Sequence, residues 1–499
     1  MNQIGYLHLL KLAAPETIVV VTALVVLGAD LLALRELEVG FRRVIAGMIA
    51  CVGCIAAIAW MLVMPEHANF LGGMLVVDPL TQLVKVALLA LTVFTILLSM
   101  ETDFTPHSGE YLAIILLAAV GMMFLVSSED ILMIFISLEL TSLSLYILTA
   151  FNKRNIKSAE AALKYFLFGG MAAAFTLFGL SLLYGLSGST NLSQIAAAIK
   201  GPKLDPLLIG AIVTTVIGFG FKIAAVPFHL WAPDAYEGAP IPSAAFIASG
   251  SKVASFFVFA KVMLIGFAGA EGSGAWRSYV PGWVPVLAVV AAASMVLGNL
   301  AAIAQSSVRR LLAYSAIAHA GYILLGVLSH GGLGLASVVY YVVTYGLTTI
   351  GAFGVVSVVQ ERTGSDRLSD FAGLSRREPV LAFCMMIFVL SLAGIPPLAG
   401  FFGKFYLFTA AVGSDPAKLG LLWLVILAIA MSAVSLYYYL HVLKQIYIIE
   451  TPATDVSTVR TPIISQVALV LLAIAVVVLG CAPDLLIGRL VAAIKVAGL

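Results

Sequence analysis

Glu139 is the only acid inside the apolar run ILMIFISLELTSLSLYIL, about ten residues or ~15 Å from its start. A carboxyl at that depth is either protonated, making a helix-packing hydrogen bond, or paired with a cation. The candidate partner is Lys222, in the stretch GFGFKIAAVPFHLWAPDAYEGAPIPSAAFIASGSK from Gly218 to Lys252. Lys222 lies five residues before Pro227, and proline breaks a helix by removing a donor and clashing with the preceding turn. Broken backbone at membrane depth must be covered by protein or water. Separating a Glu139–Lys222 pair would free the lysine to lose its proton, which is the coupling a pump needs. Lys252 lies mid-span in the following run, and Lys404 follows Pro396-Pro397 by about two turns. His229 lies between the first two lysines. It fits either an ordinary loop histidine or a relay, because imidazole titrates near neutrality. His319, mid-span in LLAYSAIAHAGYILLG, fits either a satisfied core histidine or a relay. Ionisable groups beside helix breaks in apolar spans point to ion transport.

The elements that must hold these groups are membrane helices. Of the 499 residues 62% are hydrophobic and 10% charged, against roughly 25% charged in soluble domains. A span needs about 20 apolar residues. Fourteen runs qualify, near 15–33, 43–63, 79–99, 110–126, 129–150, 160–185, 207–226, 240–267, 283–304, 309–329, 335–359, 380–413, 420–446 and 463–481. The first is expected to be an uncleaved span, being longer than a signal-peptide core and lacking a small-residue cleavage site. The twelfth is interrupted at Pro396-Pro397. A short apolar segment, 484–498, is expected at the membrane interface. Fourteen Lys and Arg residues fall in one set of loops, among them Arg35, Arg42, Arg309, Arg362 and Arg460. Seven fall in the other: Lys11, Lys200, Lys203, Arg277, Lys418, Arg489 and Lys495. The richer side is cytoplasmic by the positive-inside rule, and an even span count puts both termini on the periplasmic side.

The fold class expected is an all-α integral membrane protein of about 14 helices with two inverted five-helix repeats, each containing a broken helix. The divisions are 1–109 for helices 1–3, 110–268 for the first repeat, 282–446 for the second and 447–499 for the last helix and tail. The breaks at Pro227 and Pro396-Pro397 fall in the fourth span of each five-span unit. An odd number of spans makes the second unit enter from the opposite face, as in transporters built from inverted repeats. Three further lysines lie inside runs. Lys164 sits a turn inside the basic side and is expected to snorkel. Lys261 is nine residues from Lys252, on the opposite helix face at about 100° per residue, and is also read as a snorkeller. Lys85 has no assigned role. Glu160 fits an interfacial charge.

Other chemistry has little support. No GxxxxGK[ST] or GxGxxG motif opens a βα unit. Net charge is +2 with no run of five like charges, so nothing suggests nucleic-acid binding. Cys51-Val-Gly-Cys54 lacks a second pair and reads as small buried hydrophobes. No set of ligands has metal spacing, and no Ser-His-Asp arrangement is visible.

PFHLWAPDAYEGAP after a lysine, together with LAGIPPLAGFFGKFYLF, resembles the antiporter-like membrane subunits of respiratory complex I, from about residue 110 to 446. The first motif is similar to the HxWxPDAYxGAP pattern of N-type members; Mrp-type sodium/proton antiporter subunits share the layout. N-type rather than L-type fits the absence of a long lateral helix after the last span. N-type over M-type rests on Tyr236-Glu237-Gly238 and Lys404. The resemblance implies a proton-translocating subunit with half-channels joined by a mid-membrane polar axis. Glu139 matches the span-five glutamate, Lys222 its partner in the first broken helix, and Lys252 the connecting lysine. His229 matches a hydrated-axis histidine, and Lys404 the residue of the second broken helix. It also implies no redox cofactor or metal in this chain, with FMN, iron–sulfur clusters and quinone in other subunits. The partners implied are other complex I membrane subunits, including antiporter-like neighbours, and the lipid bilayer. The competing expectations are a cation/proton antiporter subunit and a scaffold that moves no protons.

Overall fold

Backbone in lipid satisfies its N–H and C=O groups only within helices or closed barrels, and in the computed structural model each of the fourteen apolar runs is helical. The structure describes residues 6–64, 67–199, 205–276, 278–414, 419–450 and 461–498. Of the loop charges counted above, Lys200, Lys203, Arg277, Lys418 and Arg460 lie outside the described residues. In chain order the helices begin with α1 (Tyr6–Leu12), α2 (Ala14–Gly28), α3 (Val39–Val63), α4 (Pro79–Ser99) and α5 (Ser108–Val126). Next come α6 (Ile131–Thr149), α7 (Ile156–Ser187), α8 (Leu192–Ala198), α9 (Pro206–Lys222), α10 (Trp231–Gly238), α11 (Ile241–Ala248) and α12 (Gly250–Lys261). The second half holds α13 (Trp283–Ile303), α14 (Val308–Leu328), α15 (Gly331–Thr363), α16 (Leu374–Arg377), α17 (Pro379–Ala393) and α18 (Ala399–Gly413). It closes with α19 (Leu422–Tyr447), α20 (Ile463–Cys481) and α21 (Asp484–Ala497). Twelve helical spans are long and apolar enough to cross a membrane among the described residues. The seventh and twelfth crossings are broken, so α9 and α17 are shorter than a full span.

Polar contacts sort the connections onto two faces. On the basic face Arg43 pairs with Asp103 at 2.8 Å, Arg310 with Glu237 at 2.8 Å, and Arg362 with Glu378 at 2.9 Å. Glu101 accepts from the backbone N–H of Ser465 at 2.7 Å. On the other face Glu129 receives Leu192 N–H on its carbonyl at 2.9 Å, and its own N–H reaches Gly73 O at 2.8 Å. The first span starts and the last span ends on this second face, the terminal face hereafter. Side-chain caps fix several crossings: Asp130 accepts from Leu132 and Met133 N–H at α6, and Asp205 from Leu207 N–H at α9.

α15 runs thirty residues without a charge before Glu361, and every residue from Gly334 to Val359 is buried. α14 and the α11–α12 crossing flank it and are almost as buried. α7 instead exposes Leu163, Phe166, Leu167, Met171 and Phe178, a lipid-type surface. α13 and α14 approach backbone to backbone. A Cβ on Gly298 would lie 2.5 Å from Ala318 N, and one on Gly321 2.6 Å from Ala291 O.

The run 240–267 makes one crossing from two helices, α11 and α12. It is interrupted at Ser249 (φ −115°, ψ −83°), inside the small-residue sequence Ala-Ser-Gly-Ser, a composition that commonly kinks helices. Ser249 Oγ donates to Ala245 O at 2.6 Å and so satisfies a carbonyl near the interruption. The short apolar segment, α21, buries Ile487, Leu490, Ala493 and Ile494 against α15 and α4 and leaves Leu485, Arg489, Lys495 and Val496 exposed.

Candidate functional site

The six intramembrane lysines fall into two classes by partner. Lys85 pairs with Glu16 at 2.6 Å, both fully buried, which gives Lys85 the structural partner it lacked. Lys261 pairs with Glu129 at 2.9 Å and is buried, so the snorkelling assignment is wrong: a carboxylate at the head of α6 holds the ammonium inside. Lys164 is part-exposed and bridges Glu160 at 2.7 Å and Asp234 at 2.8 Å. The other three meet neutral oxygens. Lys222 donates to Ser142 Oγ. Lys252 donates to Ala316 O at 2.7 Å. Lys404 donates to Ala393 O at 3.0 Å and Ser432 Oγ at 2.8 Å. Each of the three also stands near an aromatic ring: Tyr146 at 5.9 Å, Tyr345 at 5.6 Å and Tyr322 at 5.0 Å.

Partner type decides what a buried lysine does. Removing one member of a buried ion pair costs roughly 3–5 kcal/mol, so a lysine paired with a buried carboxylate ties helices together. A charge-assisted hydrogen bond to a neutral group is worth about 1.5–3 kcal/mol. Holding a charge at the bilayer centre costs roughly 2.5–3.5 kcal/mol on insertion scales. The two are comparable, so neither the charged nor the neutral form of such a lysine is locked. Lys222, Lys252 and Lys404 are therefore set apart by hydrogen-bond acceptors that carry no charge.

The breaks create these sites. At the first, α9 ends on Lys222, and Phe221 O accepts from the indole of Trp231 at 2.9 Å while Val226 N–H donates to Ser294 Oγ at 2.9 Å. At the second, Gly394 closes α17 with φ +87°, a conformation glycine adopts without strain. The α17 turn ends there, and Ala393 O receives Lys404. A 340 Å³ cavity lined by Lys404, Gly394, Ser432, Phe401 and Phe405 opens beside it.

α14 carries the link between Lys252 and Lys404. Ala316, His319 and Tyr322 recur every three residues and so share one face of the helix. Ala316 O takes Lys252, and the Tyr322 ring lies under Lys404. Between them His319 is buried, with Nδ1 2.6 Å from Tyr341 OH and Nε2 3.1 Å from Tyr439 OH. Tyr439 OH also bonds Ser315 Oγ. Tyr322 OH accepts from Asn299 at 3.0 Å, and Asn299 accepts from Tyr438 OH at 2.9 Å. The hydroxyls around His319 both donate and accept, and Lys252 and Lys404 meet this cluster at the rings of Tyr345 and Tyr322.

Of the expected site residues, the structure brings together Lys252, His319 and Lys404. Lys222 donates to Ser142, one turn further along α6, and Glu139 stands within electrostatic reach of Lys222 without a direct ion pair among the described residues. Glu139 is half-buried among the exposed Leu132, Ile136, Leu140 and Leu143 of α6. His229 sits half-buried in the first break, its Nδ1 without a hydrogen-bond partner and unconnected to either lysine. The residues missed are Ser142, Tyr322, Tyr341, Tyr345, Ser432 and Tyr439. Only the three-residue spacing of Ala316, His319 and Tyr322 offered a signal; lone hydroxyls in apolar helices give none. Among the described residues, no group of three or more His, Cys, Asp or Glu is placed to hold a metal ion. Cys51 and Cys54 are buried free thiols.

Two broken crossings, opposed in direction, each with a buried lysine at its break and a third buried lysine between them, define a membrane protein of the ion-translocating, antiporter-like class. Residues 128–434 match the family described as NADH:quinone oxidoreductase/Mrp antiporter, transmembrane, and the chain belongs to that family. It is 54% identical over 495 residues to NADH-quinone oxidoreductase subunit N 2 of Acidobacterium capsulatum, covering 97% of this chain and 99% of that protein. It is similar to a chain of respiratory complex I from Thermus thermophilus with bound aureothin, with a TM-score of 0.77 and 32% identity, covering 96% of this chain and all of that one. A chain of the Mrp complex from Dietzia shares the fold, with a TM-score of 0.81 at 20% identity, covering 97% of each chain.

Proposed function

We propose that this chain is a proton-translocating membrane subunit of a proton-pumping NADH:quinone oxidoreductase, a translocase in which the redox chemistry lies in other subunits. The observation that carries the reading is the α14 face, where one helix supplies the acceptor of Lys252, the imidazole of His319 and the ring beneath Lys404. Protons enter from the basic face, load Lys222 and Lys252, pass along His319 and its tyrosines, and leave past Lys404. Glu139 modulates Lys222 through the field of its charge rather than by contact, and His229 serves water in the first break. Glu139 and His229 remain on the proposed path for these reasons. The chain holds no cofactor of its own; FMN, iron–sulfur clusters and quinone belong to neighbouring subunits, among them further antiporter-like membrane chains. The membrane is the bacterial cytoplasmic membrane, with the terminal face periplasmic. The divisions 1–109, 110–268, 282–446 and 447–499 are the working units of this scheme.

The test replaces Lys252 and Lys404 with Met, separately and together, in the assembled complex. Proton-to-electron ratio in proteoliposomes is expected to fall. A doubly substituted complex that assembles and pumps at the full ratio would sink the proposal and favour a scaffold role. Translocation measured with and without sodium separates the proton reading from cation/proton exchange, which requires the cation.

A further inference from the structure

On the basic face a 190 Å³ cavity is lined by Asp103, Asn152, Asn155, Arg309, Ser357 and Glu361, with Pro240 and Pro242 at the head of α11. Arg309 is held there by donating to Tyr236 O at 2.9 Å, and Glu361 stands exposed at the rim. The charged groups acting on Glu361 are Arg43, Glu101, Asp103 and Arg362. Beneath the cavity lie three buried hydroxyls with no protein partner: Ser357 Oγ, Tyr236 OH and Thr349 Oγ1. Their residues are 4%, 0% and 2% exposed. Native interiors pair such groups with protein or with ordered water. Three orphans together, below a polar cavity, mark places for water rather than packing faults.

Their order leads inward. Ser357 lines the cavity. Tyr236, on α10, packs its ring against Phe353 of α15 at 5.9 Å, one turn below Ser357. Thr349 lies one turn below Phe353. Tyr345, one turn further on, places its ring 5.6 Å from Lys252 Nζ and 5.1 Å from the His319 ring. Tyr236 is within electrostatic reach of Tyr345. From Glu361 to Tyr345 the route spans sixteen residues of α15, about 24 Å.

We propose that Glu361 is the intake acid of a water-filled hydroxyl ladder, Ser357–Tyr236–Thr349–Tyr345, that delivers protons from the basic face to Lys252. Only O–H and N–H bonds change. Glu361 takes a proton from bulk water, each water and hydroxyl passes one on and receives one, and neutral Lys252 gains it. This intake is separate from the first break, which serves Lys222. The inference rests on Lys252 acting as a carrier.

The test is the triple variant Y236F/T349V/S357A in the whole complex, which removes three oxygens and keeps the packing. Proton translocation should fall roughly tenfold or more, with the scale of a lost proton-transfer group, and Glu361→Gln should act in the same direction. Ser357→Thr, which restores a hydroxyl, should keep it. Unchanged translocation in the triple variant, with Lys252→Met inactive, would overturn the ladder and leave the axis standing. If Lys252→Met is also fully active, the axis itself fails. Should the triple variant not assemble, the single variant Ser357→Cys decides. A charged, membrane-impermeant thiosulfonate added from the basic face should label it and stop pumping; a thiol that stays unlabelled there overturns the intake.

Discussion

At the scale of single residues, the same side chain does two jobs according to its partner. Lys85 is tied to a buried carboxylate and Lys261 to a part-buried one, and Lys252 and Lys404 to neutral oxygens. Lys85→Met should therefore destabilise the protein by about 3–5 kcal/mol, because Glu16 is left buried without a counter-charge. Adding Glu16→Gln should recover most of that loss, as read by thermal unfolding of the purified complex. Lys252→Met should do the reverse, leaving thermal stability nearly unchanged while translocation falls. Equal stability losses in the two variants would contradict the division. Glu139→Gln should leave the Lys222–Ser142 contact in place, so its effect should appear in translocation and not in stability. The lysines themselves were legible in the sequence, because charges stand out in apolar runs. Their partners were not: Glu129 is 132 positions from Lys261, and Ser142 looks like any other hydroxyl in α6. The acid that did stand out, Glu139, lies within electrostatic reach of Lys222, while the hydrogen bond is made by the serine one turn further on.

At the scale of elements, the two proline breaks were legible, and the third interruption was not. Pro227 and Pro396-Pro397 remove donors and so announce themselves. Ser249-Gly250 breaks the α11–α12 crossing without a proline at the break, and Lys252 follows by two residues. Lys222 ends the half-helix that begins on the terminal face, and Lys404 lies in the half-helix that ends there. The second break closes tightly: a Cβ on Gly400 would collide with Ser391 O, and Gly400 N–H donates to Ser391 Oγ at 3.1 Å. Gly400→Ala should force the break apart and cost about 1–3 kcal/mol, the usual size of overpacking. Gly170→Ala, with open space around it, should be silent. The comparison is read by thermal unfolding, and the Gly400 variant should also lose translocation because Ala393 O no longer meets Lys404.

At the scale of the whole molecule, span number and the alternation of faces followed from hydropathy and loop charge. The α15-centred interior did not, because a central helix and a lipid-facing one are equally apolar. The seat of one α21 face on α15 and α4 was not legible for the same reason. The orientation has a direct check in the native thiols. Cys481, at the end of α20 on the terminal face, is exposed, and Cys51, Cys54 and Cys384 are buried. An impermeant maleimide should label right-side-out vesicles and not inverted ones, with Cys481→Ser abolishing the signal. Labelling from the inverted side alone would reverse the orientation.

The close seat of α13 on α14 bears on how inheritance and drift should look in this protein. Gly298 and Gly321 touch no proton and lie off the lysine face, yet neither has room for a methyl group. A saturation map of lost respiration would therefore score them beside Lys252 and His319. Intolerance alone would not separate the conductor from its frame. Only a paired readout, abundance against flux, would.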